Sequence, residues 1–154
     1  MIQRIQSVYL ALAILSMALM FAFKVSSVST GSAEAVLTVY GATSGTEAIN
    51  LSILVIPPFI YNIIIIVALV ASILLYKNRK LQRTIGRVSY LLILGFLVFL
   101  YVAVDHLSDA VSATDNIKYG AGIYFPIVAL VFVFLANRAI KKDEDLVRSL
   151  DRLR

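Results

Sequence analysis

The stretch PPFIYNIIIIVALVASILLY, residues 57–76, runs without a charge and is followed at once by KNRK at 77–80. Twenty helical residues rise about 30 Å, the hydrocarbon thickness of a bilayer. In water such a segment is an aggregation hazard, whereas lipid accommodates it. The basic cluster marks its cytoplasmic end, because Lys and Arg concentrate in cytoplasmic loops. The rest of the chain is read outward from this span.

Composition agrees with that reading. Of 154 residues, 60% are hydrophobic and 15% charged, against roughly a quarter charged in soluble domains. The net charge of +5 could suit nucleic acid, but the basic residues sit at the ends of apolar runs rather than on one polar face. The expected surroundings are a lipid bilayer and other inner-membrane subunits, with no nucleic acid. Cysteine is absent, which excludes disulfides, iron–sulfur clusters and thiol chemistry. No cofactor is implied.

Four apolar runs predict an all-α membrane protein forming a single domain over 1–154. It is read as a four-transmembrane-helix bundle with spans at about 5–25, 57–76, 88–104 and 119–140, and a cytoplasmic tail at 141–154. One Arg before an apolar run, with small residues at 32–35, also fits a signal peptide. Retention as a first span is preferred, because cleavage would leave an odd number of later spans. The segment between the first two spans is Ser-, Thr- and Gly-rich. Its β-forming run AVLTVY (35–40), the turn-like GATSGT (41–46) and the β-prone 50–56 predict a small extracytoplasmic hairpin. Residues 51–56 could alternatively extend the second helix, which Pro57 and Pro58 oppose. Residues 77–87 read as a basic loop and 105–116 as a short surface helix or loop. Gly120, Gly122 and Pro126 make the start of the fourth span irregular: proline either kinks that helix or falls just inside its start.

Twelve of the fourteen basic residues fall on the proposed inner side, leaving Lys24 and Lys118 outside. Both termini are therefore expected in the cytoplasm. In the tail, KKDEDLVRSLDRLR, Leu146, Val147, Leu150 and Leu153 fall on one helical stripe. The tail is read as a solvated helix continuing the fourth span, with an apolar edge for lipid or a partner.

Candidate chemistry is sparse. Asp105, His106 and Asp109 form D-H-x-x-D at the end of the third span. They are weak metal candidates, since one His and two carboxylates fall short of the usual three or four good ligands. Asn62 and Ser72 are polar positions inside the second span, suited to hydrogen-bonding a neighbouring helix. Most tyrosines fall near span ends, as an aromatic belt does. No charged residue or His lies mid-span, where proton relays and voltage sensors need one. No phosphate-binding loop, nucleophile elbow or zincin motif appears. The expectation is a protein that is not an enzyme.

Four stretches together carry a resemblance: MIQRIQ at the start, YGAGIYFPI at 119–127, LANRAIKKDE at 135–144 and LVRSLDRLR at the end. The chain resembles the family of domain of unknown function 4293, small four-span inner-membrane proteins of Bacteroidota. The resemblance implies a cytoplasmic-membrane location with both termini inside. It implies no activity and supplies no catalytic residues. Three functions are then weighed. The first is a non-catalytic accessory or structural subunit of a larger bacterial inner-membrane complex, such as respiratory, secretion or motility machinery. The second is a lipid or hydrophobic small-molecule binder or transporter component, with a cavity lined by Tyr61, Asn62 and Tyr124. The third is a membrane enzyme using Asp105, His106 and Asp109.

Overall fold

A computed structural model describes residues 2–30, 33–44, 47–49, 57–110 and 117–152. Its helices are α1 (Ile2–Leu19), α2 (Pro58–Leu74), α3 (Arg79–Ala110) and α4 (Tyr124–Arg152). Its strands are β1 (Ser26–Thr30), β2 (Ala33–Thr38), β3 (Gly41–Ser44), β4 (Glu47–Ile49) and β5 (Ile117–Tyr119). They form one antiparallel sheet in the order β4-β3-β2-β1-β5.

The all-α four-transmembrane-helix bundle is thereby overturned. Helices share the chain with a five-stranded sheet. Among the described residues, two helical stretches are long and apolar enough to cross a membrane, Leu81–Ala110 and Ala121–Asp143. The apolar helices Ile5–Leu19 and Pro58–Leu74 are shorter, within 10–17 residues. The physical reasons lie at their ends. The first expected span reaches residue 25, but the helix stops at Leu19 and the chain turns through 20–23 into β1. The second loses its last residues to a tight 3₁₀ turn over Leu75–Lys77.

Local chemistry explains the other boundaries. Pro58 occupies the first position of α2, where its missing N–H costs nothing. The expected basic loop at 77–87 is mostly the first turns of α3. Asn78 caps that helix, its Oδ1 accepting from the Leu81 N–H at 3.3 Å. Pro126 falls in the first turn of α4, where its missing N–H costs nothing. The helix then continues through the charged tail to Arg152. The expected hairpin is a four-strand meander. GATS (41–44) of the turn-like GATSGT forms β3, residues 45–46 lie outside the described residues, and a reversal falls at Val39–Tyr40, just before Gly41 at φ +143°. Residues 51–56 lie outside the described residues, as do 111–116.

Neighbouring helices run antiparallel in a closed ring, each against the next in sequence and α1 against α4. Three hydrogen bonds fix the directions. Gln6 Nε2 donates to the Ala139 carbonyl and Ser16 Oγ to that of Phe125, pairing opposite ends of α1 and α4. Asn62 Nδ2 donates to the Met17 carbonyl, setting the start of α2 beside the end of α1. A repeat of three and four runs through the buried positions of every helix: 6, 10, 13, 17 on α1; 58, 62, 65, 69, 72 on α2; 82, 86, 89, 93, 96, 100, 103, 107 on α3; 126, 129, 133, 136, 140 on α4, with Ser16, Val104 and Ser108 buried beside it. That 3.5-residue spacing is the knobs-into-holes seam of slightly tilted helices. Phe96, fully buried, anchors the middle, with the ring of Tyr61 at 5.0 Å.

The faces turned outward are as apolar as the seam. Val88, Leu91, Leu94, Val98 and Tyr101 of α3 and Ile127, Val131 and Phe134 of α4 are exposed. A soluble helix carries polar residues there. The two ends of the ring differ. At one, the sheet packs Val28, Ala35, Leu37 and Ala42 inward, and cross-strand pairs such as Val28↔Ala35 and Leu37↔Ala42 share that inner face. At the other lie the starts of α1 and α3 and the charged end of α4.

Candidate functional site

The residues singled out by sequence divide among three places. Asp105, His106 and Asp109 stand on the last turns of α3, the two acids exposed and His106 half-buried. Among the described residues no group of three or more His, Cys, Asp or Glu is placed to hold a metal ion. Replacing His106 with Ala is expected to change stability by less than about 1 kcal/mol, as for a surface side chain. A thermal melt checks this, and loss of a cellular phenotype would restore a chemical role to the residue.

Asn62 and Ser72 are fully buried on the seam of α2. Asn62 Nδ2 reaches the Met17 carbonyl at 3.2 Å, while its Oδ1 and Ser72 Oγ have no hydrogen-bond partner among the described residues. Tyr61 packs tilted against Phe96 and Phe99, whereas Tyr124 is exposed on α4. The structure therefore packs Tyr61 and Asn62 into the helix seam and leaves Tyr124 at the surface. The backbone at Leu146 and Leu150 belongs to α4, but their side chains, and all of Leu153, lie outside the described residues.

A junction carried by the motif YGAGIYFPI was read only as irregular. Gly120 N–H donates to the Val25 carbonyl at 2.8 Å and Gly122 N–H to the Lys24 carbonyl at 2.9 Å. A β-carbon at either glycine would press into the Lys24 backbone, at 2.7 Å from its carbonyl oxygen for Gly122. The two glycines thus let α4 begin directly against the exit of α1. Phe23 and Phe125 close over the same corner, centroids 5.2 Å apart.

The most distinctive surface is at the other end. Arg83, Arg87, Phe134, Asn137, Arg138 and Lys141 line a groove of about 530 Å3 between α3 and α4. Arg83 and Arg87 are one turn apart on α3, and Phe134, Arg138 and Lys141 follow one another on α4, so each set shares a helix face. Asn137 Nδ2 donates to the Gly86 carbonyl at 3.0 Å and ties the two helices together. Gly86 has no side chain to hold them apart, and a β-carbon there would collide with Asn137 Oδ1. Among the described residues no carboxylate lines the groove. Sequence reading counted these four cations as belonging to one side. It missed that α3 and α4 bring them to one cavity, although the i,i+4 spacing of Arg83 and Arg87 was a usable signal.

Fold and surface together define a sheet-capped helical protein with apolar outer faces and a cationic end. The chain belongs to the domain of unknown function family DUF4293, whose profile matches residues 2–153. No curated protein matches it.

Proposed function

We propose that this protein is a non-catalytic accessory or structural subunit of a larger bacterial inner-membrane complex. In this reading α3 and α4 cross the bilayer, the sheet lies on the outer face, and both termini are cytoplasmic. The observation that carries it is the apolar outer surface of α3 and α4, with no charged side chain between Arg87 and Asp105 or between Lys118 and Arg138. A membrane protein that moves ions or protons needs ionisable groups at that depth. One that only anchors and contacts neighbours does not. A second support is length. The 29 residues of α4 rise about 43 Å, well beyond a hydrocarbon core of about 30 Å. The surplus is a charged helical arm suited to a partner in the cytoplasm.

The test is affinity purification from the native membrane at native expression, with mass spectrometry of what accompanies the chain. Expected are one or a few membrane proteins in near-fixed ratio. A lone chain after mild detergent extraction contradicts the proposal.

A further inference from the structure

We propose that the cationic groove between α3 and α4 is a binding site for the phosphate headgroup of an anionic phospholipid. The inference rests on α3 and α4 lying in a bilayer, as proposed above. It adds a ligand that neither the family nor the accessory reading assigns.

Three features of the groove converge. Its lining is cationic: the exposed Arg87, Arg138 and Lys141 gather there beside Arg83, and no acid is among the described lining residues. Exposed cations converging on one cavity attract an anion, and arginine suits phosphate by presenting forked donors. Its size, about 530 Å3, falls within the roughly 300–1,000 Å3 of small-molecule sites. Its position selects a lipid over a soluble anion. Phe134 is part of the wall and is 54% exposed, and Val131 and Ile127 continue that exposed apolar side along α4. On α3, Val88 and Leu91 are exposed directly after Arg87. A phospholipid with its phosphate among the cations would lay its acyl chains along these side chains. Inorganic phosphate would use none of them. Basic pockets between helices at the cytoplasmic surface are favourable places for such headgroups.

The Asn137–Gly86 hydrogen bond holds the backbones of α3 and α4 together beside the groove.

The test uses the full chain purified in a neutral detergent. Binding of dioleoylphosphatidylglycerol, dioleoylphosphatidylcholine and inorganic phosphate is compared by native mass spectrometry and by thermal shift. Phosphatidylglycerol is expected to be retained at one copy per chain and to raise the melting temperature, with phosphatidylcholine doing neither. Each neutralised cation is expected to weaken retention about fivefold, on the basis of about 1 kcal/mol per basic residue near an anionic lipid. The triple variant Arg87→Gln, Arg138→Gln, Lys141→Gln should therefore lose it by about 100-fold. These three side chains are exposed, so the variant should fold. The pair Lys24→Gln and Lys118→Gln, at the sheet end, should leave retention unchanged. Equal retention of both lipids, an unaffected triple variant, or displacement of the lipid by millimolar inorganic phosphate would each overturn the proposal. Carbonate extraction of the same membranes separates the two readings: a chain that stays with the membrane but shows no lipid preference leaves the membrane reading standing and removes this one.

Discussion

Gly122→Val is expected to lower stability by on the order of 3 kcal/mol, which for a chain of this size is a drop of about 6–12 °C in melting temperature. Gly122 is buried, and its β-carbon would stand 2.7 Å from the Lys24 carbonyl oxygen and 2.9 Å from the carbonyl carbon. Those are backbone atoms, which cannot swing aside as a side chain does. Relief would require parting α4 from the exit of α1, and with it the hydrogen bonds from Gly120 and Gly122 to Val25 and Lys24. Each is worth about 1 kcal/mol net, and a buried donor left alone costs more. Gly120→Ala meets the same backbone and should lose comparable stability. Ala121 lies between them and is exposed. Ala121→Val is accordingly expected to stay within about 0.5 kcal/mol. Thermal unfolding of the three variants, followed by static light scattering in one detergent, measures the contrast. Equal behaviour of all three would show that the junction does not hold the ends together.

The second large effect concerns the outer face of α3. Val98 is 59% exposed near the middle of that helix. In water, Val98→Arg would be an ordinary surface change within about 0.5 kcal/mol. At the middle of a bilayer, a charge costs about 2.5–3.5 kcal/mol on insertion scales. The variant is therefore expected to shift the inserted fraction toward failure by roughly two orders of magnitude, read by an insertion reporter fused after α4. Asp109→Asn, exposed at the end of the same helix, should leave insertion unchanged. The sign of this contrast separates lipid from water as the neighbour of α3 without any assumption about partners.

The apolar segments were legible in the sequence, while the sheet and the helix ends were not, for physical reasons. Hydropathy reports where apolar residues run, and the expected third and fourth spans fall within or overlap α3 and α4. It does not report where a helix stops. Met20 to Phe23 are as helix-compatible as the residues before them, yet the helix ends at Leu19. What captures the chain there are the backbone N–H groups of Gly120 and Gly122, nearly a hundred residues away. The glycines were visible, but their partner was not. The β-forming run 35–40 was readable as strand, because Ala35, Leu37 and Val39 alternate inward. The extent of the sheet was not, since β5 comes from between α3 and α4 and pairs with β1. Asn78 before a run of helix formers was a recognisable cap and was passed over, so the basic segment read as a loop. The groove shows the same division. Its four cations were countable in sequence, but their convergence depends on Gly86 and Asn137 letting two helices meet.

In the proposed arrangement α3 and α4 cross a bilayer between the sheet on one face and the cationic end on the other. The chain has no cysteine, so single cysteines report cleanly. Tyr40→Cys sits on the sheet, at a position 67% exposed, and Lys142→Cys at the cationic end, at an exposed position. With a membrane-impermeant maleimide on spheroplasts, Tyr40→Cys should label at once and Lys142→Cys only after the membrane is opened. Labelling of both positions before permeabilisation, or recovery of the chain in the soluble fraction, would contradict the account.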